Sequence, residues 1–520
     1  MTPPRREPTP RPRPLGPTAL LLAATGALSC QCAPAAPPPE QPLSATSPAA
    51  ASSTSAAPSA SQTASPPSAP PVIPIPAPAI EGPPLDAVTW SPKGRWLAAY
   101  CMISCAATAA SPDGVPVPLQ LLDAMSGALH RSLLIAQRAT GGGSFVAFSP
   151  DESALATAHQ SGVERVFRTA DGKLLRELTL SAVYEAVAFA PDSSRVIFGS
   201  VLGDTALVGL PRGDLVHRHI EKNPFATAVP ITFTWSAQSD RLLVTRSDTT
   251  LVSPATGASL ATLASPSSAE DTLLAFTPDG ASLLRARCDG SIERLRPDSL
   301  TITEVLQKPA SDTSCALALT PAGDRLLRAT NAGLEIFDLT SRTSRLVPSP
   351  GLPNGPLLIS ADGTRALQLR FPDSGPTPHT ADPVALVHVF DLFSTPTGTA
   401  SPTASAAVPA PAPAPAIAPA LIIGEGTPLG FAPNGDIYRF TDAGLTAWSP
   451  VEKTDTFRAA FDSPVRAAAL SSDGRFIAVT DGQLVLFRTS DRAHLRVSIA
   501  PEGAAPRLTP PPADLASFLR

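Results

Sequence analysis

Leu274-Ala275-Phe276-Thr277-Pro278-Asp279-Gly280 is the stretch whose reading decides the fold. Leu274 and Phe276 stand two apart and so face one side of an extended strand. Pro278 presets φ, Asp279 brings a side-chain acceptor, and Gly280 tolerates positive φ, so the strand ends in a tight turn. Apolar runs follow such turns throughout the chain, as in Val196-Ile-Phe198, Leu242-Leu-Val244 and Phe476-Ile-Ala-Val479. Third runs come after a short polar gap, as in Leu334-Glu-Ile336-Phe337-Asp338 and Leu484-Val-Leu486-Phe487. A further turn (Asp171-Gly172, Thr256-Gly257, Arg212-Gly213-Asp214) leads to a fourth run such as Leu174 to Leu178 or Leu260 to Leu263.

This pattern is written nine times between Asp86 and Ile499. The copies open at Val88, Val146, Val187, Phe233, Leu274, Leu317, Leu357, Leu429 and Ala467, and most successive copies are 39 to 46 residues apart. One such unit cannot bury its own apolar face, so the units must stack. A period near forty made only of short strands and turns predicts an all-β chain: a β-propeller of four-stranded antiparallel blades. Nine blades is the direct count. Eight is the alternative, if one weak copy is absorbed into a loop, and Val72 to Ile80 is a candidate edge strand for closing the ring. The first unit carries an insertion around Ala106 to Pro118, and the seventh is interrupted at Pro372 to Pro383 and at Ser394 to Pro419. Pro-rich segments cannot donate to a sheet ladder, so these belong on the surface.

At this level the chain resembles bacterial WD-repeat and related propeller proteins. Phe337-Asp338 and Phe390-Asp391 stand where that family often places Trp-Asp, but no Gly-His pair precedes the first strand of any unit. The resemblance therefore implies the architecture and no functional subgroup.

The N-terminus reads differently. Arg5, Arg6, Arg11 and Arg13 precede an apolar stretch from Leu15 to Leu28. A bilayer-spanning helix needs about 20 apolar residues, more than this stretch has. It ends in Gly26-Ala27-Leu28-Ser29-Cys30, which resembles a bacterial lipobox. That resemblance implies cleavage before Cys30 and diacylglyceryl attachment to its sulfur; ordinary signal cleavage nearby and a retained signal anchor are the alternatives. Gln31 lacks the Asp that holds some lipoproteins at the inner membrane, so the outer membrane is favoured. Of the 62 prolines, 23 lie in the first 84 residues among Ala, Ser and Thr, a composition that cannot offset the entropy of ordering. The expected organisation is a signal peptide (1–29), a disordered Pro/Ala/Ser tether (30–84), the propeller (85–499, with a Pro/Ala-rich insertion at 394–419) and a C-terminal tail (500–520).

The formal net charge of −5 comes with no basic stripe, which argues against nucleic-acid binding. Among six cysteines, Cys30 is assigned to lipid and Cys32 lies beside it. Cys101 and Cys105 are close enough to pair across a loop. Cys288 and Cys315, at the ends of strands in units five and six, emerge on one face and can form an inter-blade disulfide. The alternative is four free thiols. No Cys-x-x-Cys or paired-His spacing indicates zinc. His217 and His219 face one way on a strand, which reads as a solvent-facing edge, and Arg212-Gly213-Asp214 as a hairpin turn. No Gly-x-Ser-x-Gly elbow, Cys/His pair or carboxylate cluster stands out, and Gly141-Gly-Gly143 lacks the Lys-Ser/Thr of a phosphate loop. The expectation is a non-enzymatic, lipid-anchored envelope scaffold without cofactor, binding a protein or peptide. The alternative is a propeller enzyme of lactonase, lyase, dehydrogenase or glycosidase type, with inward carboxylates or histidines at the channel mouth.

Overall fold

The computed structural model describes residues 72–76, 85, 87–100, 115–123, 129–139, 144–159, 161–180, 184–220, 231–264, 272–309, 316–349, 352–360, 362–371, 386–392, 421–425, 427–441, 444–498 and 507–509. Nine sheets form, each built from four strands consecutive in sequence and antiparallel in order. They are blade 1 (87–139), blade 2 (144–179), blade 3 (184–219), blade 4 (232–264), blade 5 (272–307), blade 6 (316–348), blade 7 (352–425), blade 8 (427–461) and blade 9 (467–498). The count is nine, not the alternative of eight.

The ring is closed by apolar packing at every junction. Nine separate clusters of buried side chains each draw on two neighbouring blades. Trp96 and Leu121 of blade 1 meet Phe148 and Leu155 of blade 2. At the seam, Val88 and Leu97 of blade 1 meet Phe476 and Ala478 of blade 9. Side chains of each second strand alternate between the two junctions they serve: Leu326 faces blade 5, whereas Leu327 and Ala329 face blade 7. Small apolar residues at these positions let neighbouring sheets approach closely.

The predicted turns fasten one blade to the next. Ser149 to Glu152, Ala190 to Ser193 and Ser236 to Ser239 close the turn between first and second strands, and the fourth residue has positive φ. Five later blades place glycine there: Gly280, Gly323, Gly363, Gly435 and Gly474. The side chains that replace glycine cap the preceding blade. Ser193 Oγ accepts the Asp151 amide at 2.9 Å, and Ser239 Oγ accepts the Asp192 amide at 3.0 Å. Glu152 accepts the Lys93 amide at 2.7 Å and the Ser91 hydroxyl. At Gly280, Gly323 and Gly474 the turn of the preceding blade closes in instead: a Cβ on Gly323 would lie 2.5 Å from Pro278 Cδ.

Two sheets gain a fifth strand. Val72–Ile75 pairs in parallel with the outer strand of blade 8 (Thr454–Phe461), and Arg507–Thr509 pairs with the outer strand of blade 9 (His494–Ser498). Val72–Ile75, expected to serve ring closure as an edge strand, is indeed an edge strand. It lies on the outside of a complete blade, however, and adds no blade of its own. Residues 77–80 lie outside the described residues. The insertion placed at Ala106 to Pro118 is shorter than read, because Val115–Asp123 is a strand paired with Leu129–Ala139. The stretches 372–383 and 394–419 lie outside the described residues, as do residues 1–71.

Candidate functional site

The ring has two ends. Turns between first and second strands, and between third and fourth, emerge at one end. Turns between second and third strands, and the links between blades, emerge at the other, which we call the link end. Connections 101–114 in blade 1 and 372–385 in blade 7 both join second to third strands, so both spring from the link end. The third long interruption joins third to fourth strands of blade 7 and springs from the opposite end. The sequence grouped these insertions by composition; the topology separates them.

A belt of buried polar side chains runs through blades 5 to 8 near the link end. Arg285, Arg328, Gln368 and Arg439 occupy the same slot, third or fourth in the second strand, of four successive blades. All four are less than a tenth exposed or lie in a buried ion pair. Arg285 lies opposite Glu293 in the ladder and pairs with it at 2.5 Å. Arg328 lies opposite Glu335, with Nε donating at 2.7 Å, and its Nη1 donates across the junction to the Cys288 carbonyl at 2.9 Å. In blade 7, Arg370 donates to Gln368 Oε1 at 3.1 Å and across the junction to the Thr330 carbonyl. His388 sits beside it, hydrogen-bonded to Ser349 Oγ at 2.6 Å. Burial, aided by the Arg370 charge, pushes the His388 pKa down to about 4, so the ring is neutral at physiological pH. In blade 8, Arg439 pairs with Asp455 at 3.1 Å, while its Nε and Nη1 make no hydrogen bond.

Between blades 5 and 6 this belt lines a cleft of about 10 Å³, bounded by Arg287, Gly290, Gln307, Leu317, Arg328 and Glu335 among others. That volume holds about one water. Gln307 Nε2 donates to Glu335 at 3.4 Å, and the Arg287 guanidinium lies 3.8 Å from Glu293. The cleft thus presents guanidinium donors balanced by carboxylates. Among the described residues that adjoin it, no nucleophile stands beside a base.

A second buried polar spot lies between blades 2 and 3. Glu164 is fully buried, on the same face of its strand as Val166. Neither carboxylate oxygen accepts a hydrogen bond of good geometry. The amides of Leu180 and of Glu164 itself pull its pKa down, and the Leu180 N–H also donates to Gly162 O at 2.9 Å. Burial dominates and pushes the Glu164 carboxyl up to about 8, with Arg218 opposing and Asp204 reinforcing the rise. The group is therefore a neutral acid at pH 7.

Cys288 is buried and disulfide-bonded. Its partner is outside the described residues, as are Cys30, Cys101, Cys105 and Cys315. His217 and His219 lie on the outer strand of blade 3 (Asp214–His219), half-buried and exposed. No group of three or more metal-ligating side chains occurs among the described residues. Arg212 and Asp214 are exposed partners 3.0 Å apart flanking Gly213, whose amide closes the turn onto Gly209 O. Gly213 has φ of 79°, and a Cβ there would lie 2.6 Å from Leu175 O, so this slot belongs to glycine for reasons of packing. Asp338, at the Trp-Asp position, accepts the Thr340 and Ser341 amides and so caps the turn after its strand. The nine first strands, which adjoin one another around the axis, contain one charged residue, Glu185.

The polar belt escaped the reading of the sequence. Its signal was present, since Leu-Leu-Arg, Leu-Leu-Arg, Leu-Gln and Tyr-Arg interrupt apolar runs at one repeat slot.

No protein-family profile and no curated protein sequence matches this chain. Solved structures do resemble it in shape. The C-terminal WD40 domain of Sif2 is 13% identical with a TM-score of 0.45, covering 76% of this chain and 93% of that one. The β-propeller domain of Cps50 (Swd1) from Myceliophteria thermophila is 16% identical with a TM-score of 0.36, covering 56% and 95%. The dihydro-heme d1 dehydrogenase NirN, in complex with DHE, is 14% identical with a TM-score of 0.45, covering 64% and 70%. At these values the likeness adds nothing to the fold, which the nine sheets establish by themselves.

Proposed function

We propose that this protein is a non-enzymatic scaffold of a bacterial envelope, lipid-anchored through Cys30, that offers the link end of its propeller to a protein or peptide partner. The carrying observation is the direction of Val72–Ile75. The outer strand of blade 8 starts at the end opposite the link end, and Val72–Ile75 runs parallel to it. Chain arriving from an anchor therefore meets the propeller from the opposite end. The link end faces away from the point of attachment. The same end carries the connections 101–114 and 372–385 and the guanidinium-lined cleft between blades 5 and 6. Loops held by a rigid scaffold are the usual contact elements of a propeller, and arginine with buried apolar surroundings is a common anchor for partner carbonyls and carboxylates.

The test has two arms. Cys30→Ala should move the protein from the membrane fraction to the soluble fraction of the envelope. Cross-linking from the link end, with a photoreactive residue at position 108 or 378, should capture a reproducible partner that a probe at position 405 does not. Unchanged fractionation would remove the anchor, and equal capture from both ends would remove the assignment of the binding face.

A further inference from the structure

We infer that Val72–Pro76, together with Leu85, forms a clamp that holds the last joint of the ring by tying blades 8, 9 and 1 to one stretch of chain. The inference rests on the described ends of that stretch and is independent of the proposed anchor and partner.

Each of the other junctions is crossed by the chain itself, because the fourth strand of one blade leads to the first strand of the next. Only the seam between blades 9 and 1 joins parts of the chain distant in sequence. Apolar packing holds it directly, together with hydrogen bonds such as those from Trp90 Nε1 to Ala469 O at 3.2 Å and from Ser472 Oγ to Pro92 O at 2.5 Å. Bringing such distant segments together costs loop-closure entropy that neighbouring blades do not incur.

Val72–Ile75 adds the missing ties. It pairs with blade 8 in the register Val72 to Arg458 through Ile75 to Phe461, and Ile75 O accepts the Asp462 amide at 3.1 Å. Ile75 is 1% exposed and shares a cluster with Phe457 of blade 8 and with Ile477 and Phe487 of blade 9. One residue later, the Pro76 carbonyl accepts from Arg496 Nη2 of blade 9 at 2.8 Å. Arg496 is itself oriented by Asp481, through contacts of 2.8 and 2.6 Å. Asp481 is followed by Gly482, and Gly482 O accepts the Leu85 amide at 3.4 Å. Leu85 is buried among Val88 and Leu97 of blade 1 and Phe476 of blade 9. The hairpin at Asp481-Gly482 thus anchors both ends: Pro76 through Arg496, and Leu85 directly. Pro74 has no amide hydrogen and fits an edge position.

The test is hydrogen exchange on the full-length protein, read strand by strand. Ile75→Asp should raise exchange by about tenfold or more in Ala87–Trp90, across the seam from the substitution, while Thr232–Trp235 of blade 4 keeps its protection. Faster exchange confined to Thr454–Phe461, with Ala87–Trp90 unchanged, would overturn the clamp and leave Val72–Ile75 as edge cover only. Should Ile75→Asp fail to fold, the pair Arg496→Met with Asp481→Leu removes the tie to Pro76 without stranding a buried charge. Seam protection at the wild-type level in that variant would equally overturn the clamp; a selective rise at Ala87–Trp90 supports it.

Discussion

Ser193 Oγ accepts the Asp151 amide at 2.9 Å, so the turn of blade 3 caps the turn of blade 2. The residue that makes this bond has φ of 61°, a conformation costing an L-residue about 1–2 kcal/mol. A net hydrogen bond returns about 1 kcal/mol. The two terms nearly cancel, which explains why the slot accepts either solution: capping side chains in blades 2 to 4, glycine in blades 5 to 9.

Exchanging the two solutions should therefore be asymmetric. Ser193→Gly is expected to change stability by less than about 1 kcal/mol, because it trades a bond for backbone ease. Gly323→Ser should cost about 1–3 kcal/mol, since its Cβ meets the Pro278 ring. Thermal midpoints of the two variants check the ordering; a larger loss for Ser193→Gly would contradict it.

Glu164 and His388 should tilt stability with pH in opposite directions. Glu164 ionises near 4.5 when unfolded and near 8 when folded, so the native state holds the extra proton between those values. Stability consequently falls as pH rises from 4.5 to 8, by a total on the order of 5 kcal/mol. His388 titrates near 6.5 unfolded and about 4 folded, so the unfolded state holds the extra proton and stability falls as pH drops from 6.5 to 4. Denaturant midpoints across pH 4 to 9 should lose their alkaline decline in Glu164→Gln. A decline of undiminished size in that variant would assign it to another group.

The ion pair of Arg328 and Glu335 should be costly to break and cheap to replace. Their side chains are 11% and 16% exposed, and Arg328 also supports the Cys288 carbonyl. Arg328→Met strands a buried carboxylate and is expected to cost about 3–5 kcal/mol. Adding Glu335→Leu should recover most of that loss, leaving the unpaired carbonyl as the remainder. A double-mutant cycle measures the recovery; additive losses would mean that the carboxylate was never desolvated.

Phe189 and Pro413 offer a contrast between blade and insertion. Phe189 is 3% exposed, packed among Phe198, Val187 and Val196 at the junction of blades 2 and 3. Phe189→Asp buries an unpaired charge and opens a void, with an expected loss of several kcal/mol. Pro413 belongs to the Pro/Ala-rich insertion, and Pro413→Asp should leave the melting temperature within about 1 °C of wild type, the shift of a surface substitution. Equal melting temperatures for the two variants would refute the assignment of Phe189 to a blade.

What could be read directly was everything local in the chain. The turn Leu274 to Gly280 contains its own instructions, as proline, aspartate and glycine act on adjacent backbone through φ and short hydrogen bonds. Apolar spacing of two then assigns strands, and repetition assigns blades. Those interactions span a handful of residues, so a linear reading reaches them. The insertion boundary near Pro118 slipped for the opposite reason: Val115 to Pro118 pair with Ala139 to Leu134, a register that composition cannot convey.

The amino-acid sequence by itself determined the blade, its turns and its ninefold repetition. Tertiary structure alone decided that Arg328 reaches Cys288 forty residues away, that Gln368 and Arg439 share a belt with it, and that Val72–Ile75 docks on blade 8 nearly four hundred residues downstream. Those contacts depend on the angle at which each sheet meets the next and on the ring coming round to its start. Such quantities emerge from the summed packing of nine junctions and are encoded in no single stretch of chain.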